Sequence, residues 1–181
     1  DYQSSIAMLQ ALSSSQSVPM IRIPWCEPGI IMRMLDLGVM GIICPMINTK
    51  KDCEKFVSFC KYPPIGQRSF GPMRAQLVHG VDYFKNANSN ILCFAMIETK
   101  EAVENLDEIL SVPNLTGVYI GPADMSSSYG MEPKFDVKED PVFSNIKLIV
   151  NKAKEHGKIA GIHNGTTQYA KEMIALGYQF V

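Results

Sequence analysis

The sequence lacks any apolar run long enough to cross a bilayer: stretches such as Ile91 to Ile97 fall far short of the about 20 residues a spanning helix needs. It also lacks a basic segment followed by an apolar one at its start, so the chain is expected to be soluble, not secreted, and cytoplasmic. Clusters of Lys or Arg are missing, and the formal net charge is −1. A nucleic-acid partner, which needs a basic face, is therefore not expected, whereas small anions can still be met by single arginines. The cysteines are five, an odd number, and none forms a C-x-x-C pair. Neither a disulfide framework nor a zinc knuckle is favoured, and most of the five are expected as small core residues. A bias toward disorder is absent too, at 46% hydrophobic and 19% charged residues.

What is present is a rhythm. Apolar runs of strand length (Val18 to Pro24, Gly41 to Ile47, Ile91 to Ile97, Gly117 to Ile120, Lys158 to Ile162, Tyr178 to Val181) alternate with segments of helical period. That alternation predicts parallel βα units, with strands covered on both faces. A chain of this length hides roughly 70% of its unfolded surface, so one domain over residues 1–181 is expected.

The helices announce their ends. Pro28 suits a first turn after Glu27, with Gly38 as the stop, and Thr49 with Asp52 can cap the next helix. Thr99 is expected to open a helix carrying Val103, Leu106, Ile109 and Leu110. Asp140-Pro141 opens one that closes at His156-Gly157, and Thr166 starts the last, ending at Gly177. Tyr2 to Leu12 reads as a helix with Ile6, Leu9 and Leu12 on one face. The segment from Tyr62 to Asn90 is too long for an ordinary connection and is expected to be a functional loop plus a short helix. A complete (β/α)₈ barrel needs about 250 residues, so a barrel reading implies that the first two strands and the final helix lie outside this sequence.

Three charged residues stand at or inside strand runs, where a lone buried charge is costly unless paired or bound to a metal: Arg22, Glu98 and Asp124. Glu98 and Asp124 follow successive strand runs, which in a parallel barrel are about 4.8 Å apart and end at the face where barrel sites form. Two oxygen donors completed by water suit Mg²⁺ or Mn²⁺ better than zinc. Each acid taken alone reads equally well as a helix N-terminal carboxylate. Arg22 fits either a buried structural pair or a substrate carboxylate. Gly121-Pro122-Ala123-Asp124 is a tight turn whose small residues let backbone N–H groups approach a ligand. Asp36 opposes a helix dipole near Gly38, and His163 ends a strand run where an acid or base could stand. No lysine is embedded in a strand run, so nothing points to a Schiff base.

The segments Val18-Pro19-Met20-Ile21-Arg22-Ile23-Pro24-Trp25, Leu35-Asp36-Leu37-Gly38, Cys44-Pro45-Met46-Ile47-Asn48-Thr49, Tyr62-Pro63-Pro64-Ile65-Gly66-Gln67-Arg68 and Ile120-Gly121-Pro122-Ala123-Asp124-Met125-Ser126 occur in an order and spacing that resembles the HpcH/HpaI aldolases, the class II pyruvate aldolases. The resemblance covers essentially the whole chain and is strongest at the runs ending in Ile-Glu-Thr and Gly-Pro-Ala-Asp. It implies a (β/α)₈ barrel of the phosphoenolpyruvate/pyruvate type and a divalent metal, Mg²⁺, Mn²⁺ or Co²⁺. It also implies pyruvate and an aldehyde as small-molecule partners, and a homo-oligomer, commonly a hexamer.

Carried over by position, the resemblance makes Glu98 and Asp124 the metal carboxylates and Arg22 the contact to pyruvate. Asp36 becomes the aspartate linked to a catalytic histidine, and Gly121, Pro122 and Ala123 the pyruvate-binding turn with Asp124. Two departures stand out. The family's catalytic histidine belongs just before the position of Asp1, and Met96 stands where many members have glutamine. Two rival readings accompany this one: a lyase acting on a CoA thioester, as in the citrate lyase β and malyl-CoA families, and a non-catalytic barrel that binds small acids.

Overall fold

The computed structural model describes residues 2–181. In chain order the elements are α1 (Tyr2–Leu12), β1 (Met20–Arg22), α2 (Pro28–Asp36), β2 (Gly41–Cys44), α3 (Lys50–Cys60), α4 (Met73–His79), α5 (Tyr83–Asn90) and β3 (Leu92–Ile97). There follow α6 (Lys100–Glu104), α7 (Leu106–Leu110), β4 (Gly117–Ile120), α8 (Pro122–Ser128), α9 (Val142–Glu155), β5 (Ile159–Ile162) and α10 (Thr167–Leu176). Among the described residues no helix is long and apolar enough to cross a membrane. The chain divides into two compact units, one of Asp1–Cys44 with Lys55–Cys93 and the other of Pro45–Glu54 with Phe94–Val181.

In the first unit β1 and β2 pair in parallel, from Met20 opposite Gly41 to Arg22 opposite Ile43. The α2 helix starts where its sequence says it should. Both carboxylate oxygens of Glu27 accept first-turn N–H groups, from Gly29 and Ile30 at 2.8 Å each, and Pro28 fills a position that needs no donor. It buries Ile31, Met34 and Leu35, then stops at Gly38, whose φ of +102° is readily adopted only without a side chain. The segment expected as a loop with one short helix instead holds two helices, α4 and α5, which pack on each other. The α1 helix is where it was expected, but of its proposed stripe only Leu9 is buried and Leu12 is exposed.

In the second unit β3, β4 and β5 form a parallel array. Ile97 lies opposite Ile120, and Ile120 opposite Ile162. Alternation along each strand sends Val118, Ile120, Ala160 and Ile162 into the core, where α9 lies on β4 and β5 with Ile146, Ile149 and Ala153 buried. The helix expected from Thr99 breaks at Asn105 into α6 and α7. Thr166 caps α10 through the Tyr169 N–H, and Gly177 ends it with a φ of +111°. The last strand run is reduced to a single parallel bridge between Gly161 and Phe180.

Candidate active site

Glu98 follows β3 directly and is 2% exposed. Its Oε1 accepts the backbone N–H of Met46 at 2.7 Å. Met46 holds a φ of 55°, an uncommon conformation for a residue with a side chain, so the loop at Pro45-Met46 bears local strain while its N–H faces the carboxylate. That loop is braced from the same side. Thr99 Oγ1 donates to Asn48 Oδ1 at 2.6 Å while accepting the N–H of Ala102, and Asn105 Nδ2 donates to the Asn48 carbonyl at 3.0 Å. The capping box expected at Thr49 forms: the backbone N–H and hydroxyl of Thr49 both reach Asp52, and Asp52 N–H returns to Thr49 Oγ1.

The strand register sets Glu98 level with Gly121, one residue beyond β4. A Cβ on Gly121 would run into Glu98 Oε2 and come within 3.0 Å of Met96 Cε. Glycine is thus the residue that makes room for this carboxylate. Asp124 lies three residues on, in the first turn of α8, with Pro122 at the helix start. It is exposed, which corrects the expectation of a carboxylate buried at a strand end. As part of a helix N-terminus its charge is favoured there on helix grounds alone. Among the described residues no group of three or more His, Cys, Asp or Glu gathers at one place. A cation at Glu98 and Asp124 would therefore complete its shell with water or substrate oxygens, which suits a hard divalent ion.

Arg22 and Asp36 belong to the first unit. Arg22 closes β1 and is exposed, not the buried strand charge expected, and its guanidinium reaches only the Ile23 carbonyl, at 3.5 Å. Asp36 ends α2, and its Oδ1 accepts Arg68 Nη2 at 2.7 Å. Arg68 is the surprise of this unit. Fully enclosed, it stacks its guanidinium 4.4 Å from the centre of the Tyr62 ring and donates to Tyr83 Oη at 3.1 Å. Burial works against its charge, but Tyr83 and Asp36 outweigh that and raise its pKa. The only sequence signal was the Gly66-Gln67-Arg68 run, which carries no hint of a partner 32 residues away. Lys61 is buried as well, but its Nζ is spent on the carbonyls of Asn88 and Ile91, at 2.9 and 2.6 Å.

The HpcH/HpaI aldolase/citrate lyase family model matches residues 2–181. The chain belongs to the HpcH/HpaI aldolase/citrate lyase family. Its curated relatives include a hydroxypyruvate/pyruvate aldolase from Rhizorhabdus wittichii, 39% identical over 181 residues, which span all of this chain and 72% of the relative. A 5-keto-4-deoxy-D-glucarate aldolase from Shigella dysenteriae is 33% identical over 183 residues, covering all of this chain and 71% of that protein. Among solved structures, an HpcH/HpaI aldolase/citrate lyase family protein from Burkholderia cenocepacia superposes with a TM-score of 0.92 at 26% identity. It covers 99% of this chain and 72% of that one. An HpcH/HpaI aldolase from Desulfitobacterium hafniense gives 0.91 at 23% identity, covering 99% and 70%, and shares the fold. The fold class is therefore that of the (β/α)₈ barrels, of which this chain forms a part, as expected from the sequence: its described parallel strands do not close into a barrel by themselves.

Proposed function

We propose that this chain carries the active site of a divalent-metal-dependent aldolase that reversibly cleaves a 4-hydroxy-2-oxo acid to pyruvate and an aldehyde. The observation that carries the reading is the fit of buried Glu98 against the empty side of Gly121, with Asp124 following from the next strand. The names of the two relatives, both aldolases, support the reaction class.

Glu98 and Asp124 would hold the cation, which would supply the Lewis acidity that lowers the cost of forming a carbanion beside the keto group. Glu98 is pinned for that task by the Met46 N–H, so little reorganisation accompanies binding. The first-turn N–H groups of Ala123 and Asp124 have no acceptor within their own helix and are offered to the pyruvate carboxylate. Arg22, exposed and without a charged partner among the described residues, takes up negative charge on the pyruvate unit. Asp36, fixed at Oδ1 by Arg68, orients the acid–base partner through its other oxygen. In the cleavage direction the C4 hydroxyl gives up its proton, the C3–C4 electron pair remains on C3, and C3 is then protonated to the methyl group of pyruvate.

The test is exchange of pyruvate methyl protons in deuterated buffer by the full-length protein. Exchange is expected to need added Mg²⁺ or Mn²⁺, to stop on chelation, and to fall at least 100-fold in Glu98→Ala and in Asp124→Ala. Exchange that persists in either variant removes this site from the reaction.

A further inference from the structure

We propose that Asn105 is a positioning residue for Glu98: from the break between α6 and α7 it holds the loop at 45–48 in the strained form whose Met46 N–H fixes the carboxylate. This rests on the reading of Glu98 and Asp124 given above. Asparagine is among the residues most favoured at a helix N-cap, where its side-chain oxygen ordinarily accepts an N–H of the first turn. Asn105 stands at that place in α7, and at the C-cap of α6, yet its side chain makes no capping bond. Its amide instead donates to the Asn48 carbonyl at 3.0 Å, across 57 positions of the chain. A local cap is given up for a distant contact, and the contact is with the loop that meets Glu98.

Three bonds join that loop to the segment beginning at Glu98, all within the second unit. The Met46 N–H donates to Glu98 Oε1 at 2.7 Å, Thr99 Oγ1 donates to Asn48 Oδ1 at 2.6 Å, and Asn105 Nδ2 donates to the Asn48 carbonyl. Asn48 is thus gripped twice, once by its side chain and once by its backbone. The Thr49–Asp52 capping box fixes the residue that follows.

What this grip maintains is the backbone two residues earlier. Met46 holds a φ of 55°, and the other described residue with a side chain at positive φ is Asn114. Asparagine adopts that conformation several times more readily than most residues. Methionine has no such ease, and a conformation of this kind persists only where the surroundings over-determine it. With the Asn105 bond removed, Asn48 is free to shift, Met46 relaxes toward negative φ and its N–H turns away from Glu98. The carboxylate then loses the partner that holds it in place before any cation arrives.

The test replaces Asn105 in the full-length protein with Leu, which keeps the bulk without the amide, and with Ser, which can cap α7 itself but is too short to reach Asn48. In metal-free protein, exchange of the Met46 amide hydrogen, followed by nuclear magnetic resonance, is expected to quicken at least tenfold in both variants. Mn²⁺ affinity, read by electron paramagnetic resonance, is expected to fall at least fivefold in both, with the far-ultraviolet circular dichroism spectrum unchanged. If Asn105→Leu fails to fold, Asn105→Ser carries the test, because it leaves the helix break with a cap. Wild-type amide exchange and wild-type affinity in Asn105→Ser would show that the amide serves only the helix break, and the assignment would be wrong. Quickened exchange with unaltered affinity would show that Asn105 holds the loop without positioning Glu98, which also overturns it. Glu98→Ala tests the reading underneath: if that variant binds Mn²⁺ as tightly as the wild type, the metal site is wrong and this inference falls with it, whatever the Met46 exchange shows.

Discussion

Glu98 and Asp124 carry the same charge in unlike surroundings, one enclosed at 2% exposure and the other in solvent at a helix start. Sequence could place both after successive strand runs, because that depends only on where apolar runs stop. It could not distinguish their burial, which depends on whether a side chain points to the barrel face or begins a helix. Arg68 was harder still: its ion pair with Asp36 joins positions 32 apart, and nothing local marks either as paired. Gly121 gives this scale its sharpest test. A methyl group there would collide with Glu98 Oε2, and the carboxylate, the flexible party, would have to move. Gly121→Ala is expected to weaken Mn²⁺ binding at least tenfold while leaving the far-ultraviolet circular dichroism spectrum unchanged. Undiminished binding would show that the cation does not depend on this carboxylate position.

At the scale of elements, what could be read was what is local. The caps at Glu27, Thr49 and Thr166 and the glycine stops at Gly38 and Gly177 stand where the sequence put them, since each depends on residues within one turn. Only one short helix was expected where α4 and α5 stand, for the opposite reason: Met73, Leu77 and Val78 of α4 all stand exposed, so that segment has no polar outer face to set off an apolar stripe. The break at Asn105 also escaped, because the apolar spacing runs on from Val103 to Leu106 and beyond. The loop at 135–137 permits a pH test. Burial raises the Asp136 carboxyl pKa, but bonds from Thr166 Oγ1 and the backbone N–H groups of Gly165 and Thr166 outweigh it, and the pKa lies below the ordinary value. A depressed carboxyl pKa gives stability that is present above the unfolded value, about 3.9, and lost as pH falls through the folded value. Asp136→Asn is therefore expected to lower the thermal midpoint at pH 6 and to narrow its gap from wild type below pH 4. A gap that does not change with pH would show that the charge plays no part in holding the loop.

For the molecule as a whole, the alternation of apolar runs and helical segments was enough to give parallel βα units, because strands covered on both faces leave that mark in any sequence. The barrel class came from elsewhere, first from family-specific motifs and then from superposition on solved relatives. The chemistry proposed here depends on two carboxylates from neighbouring strands sharing one cation. Electron paramagnetic resonance of Mn²⁺ titrated into the full-length protein reads that directly. One Mn²⁺ per chain is expected to bind to the wild type, with affinity reduced at least tenfold in Glu98→Gln and again in Asp124→Asn. Unaltered affinity in either variant would contradict the shared site.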